Sequence, residues 1–305
     1  MKKLSIFVFI LLIVVFAMLW FVKRNKNEVV RDIAGEKVEQ LDEVKITFLD
    51  IGQGDATFIE FPDGQQMLVD CSQDARVLEA LGRVMEYYDK VIDYLLITHP
   101  DLDHYGGCQS VLERFDVKNI VYNGLKKEYD SQWQSFWDAR EDEGSTYVEI
   151  QREEEWHIAS TTLHFLYPDH SIVADSHIPG DTKQVDANNT SIVFSLTYAS
   201  SSILMMGDAE EPLEKYLLAT YADQLDSDIL KLGHHGSDSS SIQEFITLVS
   251  PQHAIASLGV NNKFGHPSRR VLKRLERASS TVWRTDLQGD IRLKMRLNDI
   301  KMAVN

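Results

Sequence analysis

The stretch THPDLDHYGG, residues 98–107, places His99, Asp101, Asp103 and His104 within six positions. Neutral imidazole and carboxylate are ligands for borderline and hard divalent cations, and four of them in one short loop exceed what a single ion usually draws from one segment. The bland alternative is a hydrated acidic loop with incidental histidines. Three later stretches argue against it: MMGDAEE (205–211), LKLGHHGS (230–237) and NNKFGHPS (261–268). In each, an apolar run delivers Asp or His to a Gly-marked turn, so each can reach the same rim.

The elements that must position these loops can be read from apolar runs and turn signals. VIDYLLIT (91–98) has the apolar density of a buried strand and feeds the first loop directly. Before it, VKITFLD (44–50), ATFIEF (56–61) and QMLVDC (66–71) read as strands, the last two joined by a Pro-Asp-Gly turn at 62–64. Helices are expected at 77–88, 107–115 and in SQWQSFWDAR, the latter inside a charged, Trp-bearing region from 127 to 155. NIVYNG (119–124), TTLHFLYP (161–168), TSIVFSLTY (190–198), ILMMGD (203–208), DILKLGHH (228–235) and HAIASLGV (253–260) supply further strands. Helices follow at 211–221, from 242 and at 269–278, with closing strands around 281–297. Two runs of strands, each ending in helices, predict sheets packed face to face with helices outside.

With these loops in place the chain resembles the metallo-β-lactamase fold superfamily, whose loops carry His-x-His-x-Asp-His, a distant third His, a bridging Asp and a last His. Within it, the similarity is to the hydrolase domain of ComEC-type DNA-uptake competence proteins. LDIGQGDAT (49–57), the loop at 98–107, NNTS (188–191), GDAE (207–210), LKLGHHGS and GHPS (265–268) match that pattern in order. The resemblance spans 44–305 and implies an α/β, four-layer αββα sandwich. The helical channel and extra β domain of full competence proteins are missing, so a singly anchored, stand-alone member is expected.

Carried over residue by residue, the resemblance implies a first metal site using His99 and Asp101 and a second using Asp103 and His104. Asp208 would bridge the two ions and His234 would complete the second site, with His235 as its fallback. Asn188 or Asn189 stands where the third-loop His is expected. Asp101 for His and Asn for His trade nitrogen for oxygen donors and harden the site, so two divalent ions are expected, manganese or zinc, with magnesium as a further candidate.

The predicted reaction is metal-assisted hydrolysis of a phosphodiester, with Asp103 orienting the attacking water and His266 donating a hydrogen bond or a proton. Asn189, Ser237 and Lys263 are the expected substrate contacts. DNA is the favoured substrate; a cell-wall phosphodiester of teichoic-acid type is the nearest rival. A non-catalytic, metal-stabilised envelope-binding module and a lactam or lactone hydrolase are the other readings. Asp55 either faces the metals or structures its own turn, and Asp70 is expected to hold a loop by hydrogen bonds. The basic helix with Arg269, Arg270, Lys273, Arg274 and Arg277 is mostly a solvated face, with guidance of a phosphate polymer as the minority reading.

Residues 4–22 carry no charge and are flanked by Lys2, Lys3, Lys23, Arg24 and Lys26. That run is long enough to span a bilayer, which predicts a transmembrane anchor at 1–22, a polar linker at 23–43 and a hydrolase domain at 44–305, placed outside the cytoplasm. The chain carries net charge −16, which opposes bulk attraction of polyanions. Its two cysteines, Cys71 and Cys108, fit no metal-ligand spacing; they read equally as one disulfide or as two buried thiols. Protein partners are not legible.

Overall fold

The computed structural model describes residues 43–304 except residues 128 and 184. The expected anchor and nearly all of the linker lie outside the described residues. Among the described residues no helix is long and apolar enough to cross a membrane.

In chain order the strands are β1 (Glu43–Phe48), β2 (Thr57–Glu60), β3 (Gln66–Val69), β4 (Val91–Leu96), β5 (Asp116–Tyr122), β6 (Thr146–Glu149), β7 (Glu154–Ile158) and β8 (Thr161–Tyr167). They continue with β9 (Val193–Tyr198), β10 (Ser201–Met205), β11 (Ile229–Lys231), β12 (His253–Ala256), β13 (Thr281–Arg284), β14 (Ile291–Arg296) and β15 (Asp299–Val304). Eight form one sheet in the order β15-β14-β1-β2-β3-β4-β5-β6, and seven form a second in the order β13-β12-β11-β10-β9-β8-β7.

Three apolar clusters define four layers. Between the sheets, Ile46, Phe48, Met67 and Leu293 from the first meet Leu163, Phe165, Leu196 and Ile203 from the second. The outer face of the first sheet packs Leu68, Leu95 and Ile120 against helices at Arg76–Leu81, Cys108–Leu112 and Ser131–Glu143. The outer face of the second packs Leu204, Leu230 and Ala254 against helices at Glu211–Thr220, Gln243–Val249 and Arg269–Arg277. Strands buried on both faces read as continuous apolar runs, which is why β4, β10 and β11 stand out in the sequence.

Three strands were not expected: β6, β7 and β15. Each is an edge strand of its sheet. Their half-exposed sequences, TYVE, EEWHI and DIKMAV, carry no buried run to mark them. The helix expected over 77–88 stops at Leu81, and Gly82 closes it.

β3, β4 and β5 are parallel neighbours in the first sheet, as are β10, β11 and β12 in the second. The loops leaving β4, β10, β11 and β12 carry the four motifs. Parallel strands send those loops to one end of each sheet, which brings distant motifs together.

Candidate metal centre

Asp70, just past β3, anchors the first loop. Its Oδ1 accepts from the Thr98 backbone N–H at 2.8 Å, and its Oδ2 accepts from the Thr98 hydroxyl at 2.8 Å and from His104 Nδ1 at 2.7 Å. Asp101 precedes a single helical turn, Leu102–Tyr105, that turns His104 inward. Gly54 of the GQGDA turn packs directly beneath it: a Cβ there would fall 2.2 Å from the Asp103 carbonyl oxygen, and its φ is +102°. Glycine is therefore required at that close approach.

All four site imidazoles are held through Nδ1. His99 Nδ1 lies 3.1 Å from the Thr98 hydroxyl, His104 Nδ1 2.7 Å from Asp70, His234 Nδ1 2.9 Å from Glu210 Oε1, and His235 Nδ1 2.9 Å from the Ser257 carbonyl. An imidazole so oriented presents Nε2 as a free acceptor, the arrangement that outer partners impose on metal-binding histidines. The Nε2 atoms of His104 and His235 lie 3.3 and 3.5 Å from Asp208, and that of His235 lies 3.4 Å from Asp103 Oδ2. His99 Nε2 sits 3.7 Å from Asp101 Oδ2.

Asp55, His104, Asp208 and His235 form a buried group whose ligand atoms lie within 4.8 Å of one another. Five buried atoms here have no hydrogen-bond partner: Asp55 Oδ1, His99 Nε2, His104 Nε2, Asp208 Oδ1 and His235 Nε2. Unpaired buried donors and acceptors are costly, and five on one spot fit bound cations that would satisfy them together.

The electrostatics agree with that fit. Burial works to raise the Asp208 carboxyl, yet the imidazoles of His235 and His104 hold it well below the usual carboxylate range. Burial opposes charge on His104, but Asp208 and Asp70 outweigh it and keep its affinity for a proton well above that of a free imidazole. Asp103 is likewise held low against burial, by His235 and His104. His99, with help from Lys127 at 2.9 Å, brings Asp101 down to about 2. For the three carboxylates the anion survives burial because positive charge faces it, and a divalent cation would do the same.

The expected ligands divide as follows. The structure brings His99, Asp101, Asp103, His104, Asp208 and both His234 and His235 to one centre. His235 joins the buried group, whereas His234 Nε2 stands 4.0 Å from Asp208 Oδ2 on a half-buried flank. The Asn pair stands back from it. Asn189 is buried, its Oδ1 accepts from the Glu210 backbone and its Nδ2 donates to Asp186, so it braces Glu210 instead of facing substrate. Asn188 Nδ2 lies 3.4 Å from both Glu210 Oε1 and His234 Nδ1.

Ser237 is buried against Ser239, while Lys263 is exposed on the loop after β12. On that loop His266 stacks on Phe264 at 5.8 Å and meets the His234 ring edge-on at 5.6 Å. Burial, then the nearby His234 and His235, lowers it to about 4. A neutral His266 offers an N–H hydrogen bond at neutral pH and not an imidazolium proton. The basic helix is partly engaged: Arg270 pairs with Asp238, and Arg274 donates to the Ser240 and Ser241 carbonyls.

Glu210 is the site residue that the motif reading did not mark; of the two open readings of Asp55 the structure gives the one that faces the candidate metal group, and Asp70 holds the loop by hydrogen bonds as expected. Asp55 is buried, and Lys231, itself buried, donates to its Oδ2 at 2.7 Å. Glu210 stood in the quoted GDAE motif, two residues after Asp208, which was the available signal. The cysteines also resolve: Cys71 and Cys108 form a disulfide joining the end of β3 to the helix after the metal loop.

Two facing sheets with helices outside, and a His/Asp centre at the ends of their strands, define a metallohydrolase-type fold. The chain belongs to the metallo-beta-lactamase superfamily, which matches residues 49–260. Among curated proteins it is 29% identical over 281 residues to ComE operon protein 3 of Bacillus subtilis, covering 83% of this chain and 33% of that one. It is 28% identical to Competence protein ComA of Neisseria gonorrhoeae, over 85% of this chain and 33% of that protein. Recombination protein 2 of Haemophilus influenzae is 28% identical, with 82% and 28% covered. The chain thus spans about a third of the length of these relatives. Among solved structures, the metallo-beta-lactamase fold protein YhfI of Bacillus subtilis aligns with TM-score 0.51 at 13% identity, over 86% of this chain and all of that one. That last likeness concerns the fold alone.

Proposed function

We propose that this member of a metal-dependent hydrolase superfamily cleaves phosphodiester bonds, with nucleic acid as the favoured polymer and the outer face of a membrane as the place. The observation that carries the reading is the set of five partnerless buried atoms facing a rim that solvent reaches, since Asp103 and Asp101 are 40% and 38% exposed. The carboxylates of Asp101, Asp103 and Asp208 suit hard cations, and hard cations suit phosphoryl oxygens. The names Competence protein ComA and Recombination protein 2 favour nucleic acid, and the Cys71–Cys108 disulfide favours an oxidising compartment.

Divalent ions bound here would supply Lewis-acid charge and lower the pKa of water. The chain's own groups do the remainder. Asp103, ionised and half-open to solvent, orients the attacking water by accepting its hydrogen bond. Neutral His266 donates an N–H to a phosphoryl oxygen, and exposed Lys263 adds positive charge on the same loop. The net charge of −16 favours a second reading, a cell-wall phosphodiester over DNA.

The test offers the full-length chain, loaded with manganese or zinc, single- and double-stranded DNA, RNA, a teichoic-acid polymer, bis-p-nitrophenyl phosphate and a lactam. Phosphodiester cleavage that Asp103→Ala abolishes supports the reading. Lactam opening without phosphodiester cleavage refutes it, and inertness toward every substrate would favour a binding module.

A further inference from the structure

The loop after β12 puts an apolar ring where solvent reaches it, at the edge of the candidate centre. Phe264 is 75% exposed. One side of it meets the His266 ring, nearly parallel at 15° and 5.8 Å, and His266 in turn meets the His234 ring at 5.6 Å. His234 and His235 hold left-handed backbone, φ 44° and 54°, which aims His235 into the buried group and leaves His234 on the flank, its Nε2 4.0 Å from Asp208 Oδ2. Phe264, His266, His234 and Asp208 thus form a continuous series from solvent to the centre.

The loop that carries this ring is braced. The Asn262 side chain clasps His266: its Oδ1 accepts from the His266 backbone N–H at 2.9 Å, and its Nδ2 donates to the His266 carbonyl at 2.8 Å. Gly259 lies against the GQGDA turn, where a Cβ would fall 2.8 Å from the Gly52 carbonyl carbon. An apolar ring fixed in the open by such contacts offers its free face to a flat apolar ligand.

Charge around the ring narrows what that ligand is. Lys263 on the same loop, and Arg269 and Lys273 on the helix Arg269–Arg277, are exposed. Among the described residues none of the three pairs with a carboxylate, and Arg269 and Lys273, four positions apart, share one helix face. On a chain of net charge −16, unpaired cations beside an exposed ring match a strand that is anionic along its backbone and flat and apolar at its bases. In a duplex the base faces are already stacked on one another. Only an unpaired strand has one to offer.

We propose that Phe264 is a stacking platform for an unpaired nucleobase, with Lys263, Arg269 and Lys273 taking the adjoining phosphates, so that single-stranded nucleic acid is the substrate class of this centre. The proposal rests on the phosphodiesterase reading above and narrows it.

The experiment follows, by fluorescence anisotropy, binding of the Mn2+-loaded full-length chain to a thymine phosphorothioate strand, which resists cleavage, to an abasic strand of equal length, to a duplex and to a labelled teichoic-acid polymer. Wild type is expected to hold the thymine strand roughly 5- to 100-fold tighter than the abasic one, the range that stacking on one aromatic side chain spans. Phe264→Ala should remove that difference and Phe264→Trp should keep it, both with a wild-type circular dichroism spectrum because the ring is exposed. Changing Lys263, Arg269 and Lys273 together to Ala should weaken both strands alike and flatten their salt dependence. The proposal is overturned by equal wild-type affinity for thymine and abasic strands, by a difference that survives in Phe264→Ala, or by an unchanged salt dependence in the triple variant. A duplex held as tightly as the single strand, or Phe264-dependent binding of the teichoic-acid polymer alone, also overturns it. Binding is read without turnover. A chain that stacks bases through Phe264 yet cleaves no phosphodiester loses the proposed activity and keeps the platform, whereas cleavage without Phe264-dependent binding does the reverse.

Discussion

Asp70 holds His104 by a hydrogen bond of 2.7 Å from imidazole Nδ1, and the opposite nitrogen of that ring lies 3.3 Å from Asp208. The carboxylate just past β3 thereby sets the direction of a ligand that arrives from the loop after β4. Asp70→Asn keeps the shape but can offer an N–H where Nδ1 needs an acceptor. It should lower metal affinity about 10- to 100-fold, as changes to such outer partners do. Calorimetric titration with Mn2+ checks this; unchanged affinity would mean that Asp70 serves only the Thr98 backbone.

Gly54→Ala tests how the GQGDA turn supports the metal loop. The added Cβ would meet the Asp103 carbonyl oxygen at 2.2 Å, and the backbone there is left-handed. We expect a stability loss of about 1–3 kcal/mol from strain and overpacking, with displacement of Asp103 and a drop in hydrolysis. Urea unfolding together with a turnover assay reads both effects.

The disulfide closes a separation of 37 residues that contains the whole metal loop. A crosslink of that span should stabilise the fold by about 4 kcal/mol on the chain-entropy scale. Cys71→Ser with Cys108→Ser should therefore unfold at lower urea, and added reductant should shift the wild type toward the double variant. Coincident unfolding curves in oxidising buffer would refute the contribution.

Glu214 gives a pH prediction away from the metals. It is buried in the helix Glu211–Thr220 and accepts from the Ser241 and Ile242 backbone N–H groups at 2.5 and 2.9 Å. Burial, partly offset by those two amides, lifts it to about 7 from an ordinary value of 4.5. The folded state then binds the proton more tightly than the unfolded chain. Stability from this group is complete below 4.5 and declines as pH rises toward 7, levelling off above it. The melting temperature of the chelator-treated chain should fall across that window more steeply than that of Glu214→Gln. Parallel pH profiles would show that Glu214 is ionised throughout.

The edge strands and the site share a reason for being partly hidden in the sequence. β4, β10 and β11 were legible because burial on both faces demands unbroken apolar runs, and these runs located the loops that carry His99, Asp208 and His234. β6, β7 and β15 lie at sheet edges, where half-exposure permits Glu, Lys and His, so composition alone could not mark them.

By itself, the sequence determined which residue types gather after which strands, and hence a His/Asp centre on a two-sheet fold, because local order and apolar spacing are properties of a linear chain. Only the tertiary structure decided that His235 enters the buried group while His234 flanks it, that Asp55 faces that group, that Glu210 reaches the centre, and that Cys71 pairs with Cys108. Side-chain direction in a left-handed turn follows from dihedral angles. Meetings such as that of Asp55 with Lys231, 176 positions apart, follow from how the sheets stack. Neither is written in the spacing of neighbours.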